Sequence, residues 1–258
     1  MTLAADLFSR FGLEEVWRWL HVVVGIAWIG LLYYFNLVQV PAFADLDPAA
    51  RNQSIDKLAS RALWWFRWAA AATLLMGVLI LGTQENLEST QVGETVETGF
   101  SPDYWGTTPG TTILTGILLA VTMFLNVWLI IWPNQKKVIA NARNVLAGGE
   151  ADPNAAAAGR KALLASRTNV LFSFTMVWFM VTTSASEKLG YDSADGILVY
   201  WIVVLIIWAV LEAYGTGMIG GTAAGGHRVW EETVPNILIS GAVLWIVFLI
   251  IWQIFLKA

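Results

Sequence analysis

Residues 111–132 read TTILTGILLAVTMFLNVWLIIW, and this stretch decides the fold because it contains no charged side chain. A helix rises about 1.5 Å per residue, so the stretch is about 33 Å long, enough to cross the hydrocarbon core of a bilayer. Backbone groups in lipid must bond within a helix or a closed barrel. The alternating polarity of a barrel strand is missing, so the sequence predicts a transmembrane helix here.

Five further apolar runs of similar length accompany this one. Together they predict spans at about 16–38, 62–83, 111–132, 166–185, 196–214 and 236–256. The composition agrees, because 57% of the residues are hydrophobic and only 13% are charged. The predicted fold class is therefore all-α, a polytopic transmembrane bundle that forms a single domain over residues 1–258. Pro41 and Pro133 lie just outside two of the runs, where a proline does not break a span.

The distribution of basic residues predicts how the bundle is oriented. Lys and Arg gather in the first, third and fifth loops, and such loops stay in the cytoplasm. The charged residues of the second loop, 84–110, are all acidic, so we expect it to be an outer loop. Residues 134–165 are rich in Ala, Lys and Arg and predict a cytoplasmic helical hairpin. Both termini then lie outside a bacterial cytoplasmic membrane, whether inner or intracytoplasmic.

The first span carries the candidate site. In WRWLHVVVGIAWIG, residues 17–30, Arg18, His21, Gly25 and Trp28 recur at spacings of three and four and share one helix face. An ionisable residue inside a span faces protein, water or a cofactor, so His21 is a candidate cofactor ligand. Gly25 would let a flat ring or another helix come close. The alternative is a histidine near the outer interface that only hydrogen-bonds to a neighbour.

The cofactor cannot be assigned from residue patterns, but haem b is a candidate. His227 lies in a predicted cytoplasmic loop, nearly a bilayer away from His21, so it cannot be the second axial ligand. Met76 or Met180 lies at a depth comparable to that of His21. Two other polar residues, Arg67 and Glu212, lie at similar depth and would either pair or extend to the interface.

Several classes of site are absent from the sequence. There is no cysteine, which excludes disulfides, thiolate metal sites and iron–sulfur ligation. The glycine-rich segment GTGMIGGTAAGG, residues 215–226, does not match a phosphate-binding loop, and we expect a flexible or tightly packed turn. No nucleic-acid motif is present, so nucleic acid is not an expected partner. Catalytic residues cannot be assigned.

Three stretches carry a likeness to a known family: RWLHVVVGIAWIGLLYYF at 18–35, WWFRWAAAATLLMGVLIL at 64–81, and NVWLIIWPNQKKVIA at 126–140 followed by RTNVLFSF at 167–174. Over roughly its first 185 residues the chain resembles the membrane domain of the bacterial membrane-bound urate oxidase family. In that family a periplasmic cytochrome c domain usually follows the helical membrane region. The resemblance implies a first-helix motif at Arg18, His21, Gly25, Trp28 and Gly30, and a conserved turn at Pro133, Asn134 and Gln135.

The chain departs from the family pattern in two respects. It has no CxxCH sequence, and it reads TTSASEK at 182–188, where the family tends to carry a histidine. We therefore expect a non-catalytic membrane component, either a homo-oligomer or a subunit of a larger complex. The alternative is a haem- or quinone-linked redox protein that passes electrons to a separate periplasmic cytochrome c. A carrier for a small solute is a third hypothesis.

Overall fold

The computed structural model describes residues 8–84, 99–186 and 196–256, and within these ranges the regular structure is entirely helical. Most of the predicted outer loop, residues 85–98, lies outside the described residues. Six helices are long and apolar enough to cross a membrane. They are α1 (Arg10–Asp45), α2 (Pro48–Thr83), α3 (Thr108–Leu146), α4 (Ala155–Ser186), α5 (Ile197–Gly215) and α6 (Val234–Phe255). The predicted class, a helical transmembrane bundle of six spans, is confirmed.

Two of these helices continue through prolines that lie just outside the predicted spans. The N–H of Val40 bonds to the carbonyl of Phe35, and the N–H of Trp132 bonds to that of Val127. These bonds reach back five residues, so a π-helical turn precedes both Pro41 and Pro133. A π-turn is a known way to fit a local disruption into a helix, and here it accommodates residues that lack an N–H. The helices therefore extend beyond the predicted spans 16–38 and 111–132, whose ends stay a prediction.

Helix α4 lies at the centre of the bundle. In its most apolar window 72% of the residues are buried, against 11% for α5, which lies at the edge. Small polar side chains on α4 bind its neighbours: Ser166 accepts a bond from Asn36 (2.8 Å), and Ser173 shares one with Tyr33 (2.9 Å). Small hydroxyl-bearing residues let helices approach closely in lipid, which explains why α4 rather than the more apolar α5 is central.

The third and fourth spans are joined by a short connection at 147–154. Gly148 has a φ of +85°, a conformation that favours glycine, and it follows the end of α3. Asn144 donates to the carbonyl of Glu150 (2.6 Å), and Asn141 accepts from the N–H of Asp152 (2.7 Å). The predicted hairpin of residues 134–165 thus consists of the end of α3 and the start of α4. Its cytoplasmic location stays a prediction.

Candidate functional site

A cavity of about 780 Å³ lies between the first four helices. Its walls come from residues 18–30 of α1, 73–84 of α2, 113–121 of α3 and 176–183 of α4. It therefore occupies the half of the bundle next to the 84–110 loop. We call it the lateral cavity. Its volume lies in the range of sites that bind drug-sized molecules or cofactors.

The four residues proposed from the sequence, Arg18, His21, Gly25 and Trp28, all line the lateral cavity. Met180 lines it as well, from the opposite side on α4, whereas Met76 is not among the lining residues. The structure thus brings the first-span candidates together with one of the two methionines. Their role in binding a cofactor stays a prediction.

His21 is held between α1 and α2. Its ring lies near the backbone of Thr73 on α2. A side-chain carbon added at Gly77 would come within 3.3 Å of the His21 Cε1 atom, so the ring lies close against the α2 backbone where glycine leaves room. The Nδ1 atom of His21 is buried and has no hydrogen-bond partner.

Trp28 supplies a second unpaired polar group. Its side chain is 2% exposed, and its indole N–H has no hydrogen-bond partner. Gly25, one turn away, faces α2: a carbon added there would make an ordinary contact, 3.9 Å, with the Thr73 side chain. An unpaired indole N–H in an apolar environment costs about 1 to 3 kcal/mol, so it calls for a partner such as a ligand oxygen or a water molecule.

Arg18 lies at the rim of the lateral cavity. Its guanidinium donates two bonds to one oxygen of Glu14, from Nε at 2.8 Å and from Nη2 at 2.5 Å. The Arg18 side chain remains 40% exposed. A polar rim above an apolar interior suits a ligand whose polar end lies near the membrane surface and whose body lies deeper.

The lateral cavity opens towards lipid. Val22 and Ile26 on α1 are 59% and 69% exposed, and Val181 on α4 is 71% exposed. All three belong to the lining residues. Exposed apolar side chains within a span face the acyl chains of the bilayer, so the cavity is accessible from the membrane interior. A lipophilic molecule can reach it without passing through water.

The opposite half of the bundle contains a buried amide and carboxyl group in contact. Asn126 donates to Asn169 Oδ1 (3.0 Å) and to Glu212 Oε2 (3.2 Å). The guanidinium of Arg67 instead lies 3.8 Å from the Trp132 ring centroid. Arg67 and Glu212 therefore do not form the pair that their similar depth suggested, because each has a nearer partner.

A fully buried ion pair was missed by sequence reasoning. Arg228 and Glu231 are both 0% exposed and bond to each other. Arg228 also donates to the carbonyl of Tyr214 (2.7 Å) and to that of Gly221, so the glycine-rich segment wraps around it as a tightly packed turn. Burial raises the pKa of Glu231, and the Arg228 guanidinium opposes that rise. The only sequence signal was the spacing of three between two opposite charges.

Two cavity residues were also missed, Thr73 and Gly77 on α2. A small residue followed four positions later by glycine is a signal for close helix approach in membranes, and it was present in the sequence. The signal does not say which helix approaches. That partner became clear only when the His21 ring was found against the α2 backbone.

These features define the class of protein: a multi-pass helical membrane protein whose first four spans enclose an apolar cavity with unpaired polar groups. The family model for the urate oxidase N-terminal region matches residues 100–246, more than half of the chain. The chain therefore belongs to the urate oxidase N-terminal family. The comparisons with curated proteins and with solved structures give no match.

The matched segment covers only part of the lateral cavity. It contains the stretches 126–140 and 167–174, extends well beyond residue 185, and begins after the stretches 18–35 and 64–81. The α3 and α4 walls thus belong to the matched region. His21 and the rest of the first-span face precede it.

Proposed function

We propose that this chain is a membrane component that binds a lipophilic ring molecule of the quinone class in the lateral cavity. The observation that carries the proposal is the apolar cavity of about 780 Å³, which opens to lipid and is lined by two residues, His21 and Trp28, that each have an unpaired polar atom. The carbonyl oxygens of a quinone accept hydrogen bonds, as the Trp28 indole N–H requires. A quinol hydroxyl would in turn donate to an acceptor such as an imidazole nitrogen.

The shape of the cavity supports a flat ligand. Gly25 and Gly77 keep the facing surfaces of α1 and α2 free of side chains, and Met180 provides an adaptable wall on α4. Arg18 at the rim would meet the polar end of a ring. A ligand of this kind resides in the bilayer, so entry through the exposed apolar rim matches its chemistry.

Haem b is the alternative ring. Iron ligation requires a histidine nitrogen directed at the macrocycle. The Nδ1 atom of His21 is enclosed next to Gly77, so the other ring nitrogen, Nε2, would have to be the ligand. We assign no step to haem and keep it as an outcome of the test.

The proposed role is to hold and present the ring, with chemistry completed by a partner protein. Among the described residues there is no group of three His, Cys, Asp or Glu side chains that could hold a metal ion. A basic cytochrome c is a proposed partner, because the 84–110 loop carries only acidic charge. High salt should weaken that contact.

Self-assembly is a second candidate function, favoured by the exposure of α5. Only 11% of its apolar window is buried, so most of its surface is available to lipid or to another helix. Leu198, Ile202 and Ile206 on this helix are 50% to 73% exposed. Native mass spectrometry in mild detergent would give the number of copies directly.

The test of the ring proposal begins with protein purified in mild detergent. Organic extraction followed by liquid chromatography and mass spectrometry should recover a quinone-class molecule at about one per chain. Gly25→Leu should remove it, because the longer side chain projects into the lateral cavity. Gly82→Leu is the matched control, since Gly82 lies in the same half of the bundle and does not line the cavity.

Absorption spectra of the oxidised and dithionite-reduced protein separate the alternatives. A Soret band that disappears in His21→Ala would replace the quinone by haem b. A colourless protein that yields no ring molecule and binds no added quinone would overturn the proposal and leave assembly as the function.

A further inference from the structure

A second cavity, of about 560 Å³, lies at the opposite end of the bundle from the 84–110 loop. It is formed between residues 60–64 of α2 and residues 132–143 of α3. We call it the cationic groove, and its lining residues are Ser60, Arg61, Trp64, Trp132, Lys136, Ile139, Ala140 and Arg143. The three residues from α2 lie on one face of that helix, and the five residues from α3 lie on one face of α3, because their spacings follow the helical repeat.

The cationic groove carries excess positive charge. Arg61, Lys136 and Arg143 line it, and none of its lining residues is acidic. Arg143 bonds to Asp56 (2.5 Å), but Asp56 also bonds to Lys57 (2.7 Å), so this carboxylate is shared by two cations. In the described structure neither Arg61 nor Lys136 is paired with a carboxylate.

Aromatic side chains continue the cationic groove into the membrane. Trp64 and Trp68 follow Arg61 along α2 and are 46% and 48% exposed. Exposed tryptophans mark the level of the lipid headgroups. Leu75, seven residues after Trp68 on the same face of α2 and 55% exposed, continues this surface towards the bilayer centre. The surface thus changes from cationic to aromatic to aliphatic along one direction, as a phospholipid does from phosphate to acyl chain.

A further cation lies beside this surface without an anionic partner. The guanidinium of Arg67 lies over the Trp132 ring, and its Nε atom is buried without a hydrogen-bond acceptor. Stacking on tryptophan stabilises a guanidinium but leaves its hydrogen-bond donors unused. An anion bound in the neighbouring groove would lower the electrostatic cost of keeping this charge within the span.

From this juxtaposition we propose that the cationic groove binds the phosphate headgroup of an anionic phospholipid, with Arg61 and Lys136 at the phosphate and an acyl chain along Trp64 and Trp68. Basic pockets between transmembrane helices are suited to such headgroups. A soluble anion would use the cations but not the adjoining aromatic surface, so the lipid is the occupant that explains both. The inference does not depend on the ring proposal, because the two cavities lie in opposite halves of the bundle.

Native mass spectrometry can test this directly. The probes are phosphatidylglycerol and phosphatidylcholine, added in turn to the delipidated full chain in mild detergent. We expect one tightly retained phosphatidylglycerol per chain and weaker retention of phosphatidylcholine. Each cation near the membrane surface contributes roughly fivefold in affinity, so Arg61→Gln with Lys136→Gln should weaken phosphatidylglycerol binding roughly 30-fold.

The matched control is Lys137→Gln with Lys161→Gln, which removes the same charge from exposed positions outside the cationic groove. This control should retain wild-type affinity. Thermal unfolding, followed by tryptophan fluorescence, verifies that both double variants fold. Equal weakening in the two would show a general charge effect and overturn the proposal. Displacement of the lipid by an equal concentration of inorganic phosphate would also overturn it.

Discussion

The buried ion pair between Arg228 and Glu231 gives the sharpest stability prediction. Both side chains are 0% exposed, and Arg228 also donates to two backbone carbonyls and lies 4.7 Å from the Tyr214 ring centroid. Arg228→Met keeps most of the side-chain volume but leaves the Glu231 carboxyl buried without its cation. Removing one partner of a buried ion pair costs about 3 to 5 kcal/mol.

For a chain of this size, about 1 kcal/mol corresponds to roughly 2 to 4 °C in the unfolding midpoint. We therefore expect Arg228→Met to lower the midpoint by roughly 6 to 20 °C. The assay is thermal unfolding in mild detergent, followed by circular dichroism at neutral pH. Arg51→Met, at an exposed arginine, should change the midpoint very little.

A second variant separates the charge from the packing. Arg228→Met combined with Glu231→Gln removes both charges, so the double variant should recover part of the loss. If the single variant unfolds at the wild-type temperature, or if the double variant is less stable than the single, the pair does not stabilise this turn as we argue.

Three further predictions concern other parts of the bundle. Asn126→Leu should lower stability by about 1 to 3 kcal/mol in thermal unfolding, because it removes the amide that bonds to Glu212; a neutral result would contradict that role. Leu119→Ala, at a fully buried position of α3, should lower the free energy of unfolding by about 2 to 5 kcal/mol, whereas Leu129→Ala, 68% exposed on the same helix, should lower it little. Equal losses would contradict the burial of one face of α3 and the exposure of the other. The pKa of Glu232 is lowered chiefly by its hydrogen bond from Arg160. The contribution of this carboxylate to the stability of the fold is therefore complete above the ordinary glutamate pKa and is lost as the pH falls through the lowered value. When stability is measured against pH in acid, the Glu232→Gln variant should lack that part of the loss.

The prolines show where local sequence rules stopped being sufficient. Pro41 and Pro133 carry the usual signal for a helix end, yet α1 and α3 continue past both through π-helical turns. Whether a helix ends or adapts at proline depends on whether neighbouring helices hold its continuation in place. That information comes from tertiary packing and is not present in a single span.

The charged residues show the same limit. Depth along the helices suggested that Arg67 and Glu212 might meet, but depth does not specify the side of a helix. Helix rotation directs Arg67 to Trp132 and Glu212 to Asn126. Arg228 and Glu231 lie between two predicted spans, and a sequence does not show that such a segment folds back over its own charges.

The sequence by itself determined the class of protein. Its uncharged apolar runs are long enough to cross a bilayer, and lipid leaves their backbone no alternative to a helix. It also determined that Arg18, His21, Gly25 and Trp28 share one face, because the helical repeat requires it. Only the tertiary structure decided what that face meets. Helix packing depends on small residues from distant segments. Helix α2 approaches the α1 face at Gly77, and α3 and α4 lie opposite, so this face became one wall of a cavity that opens to lipid.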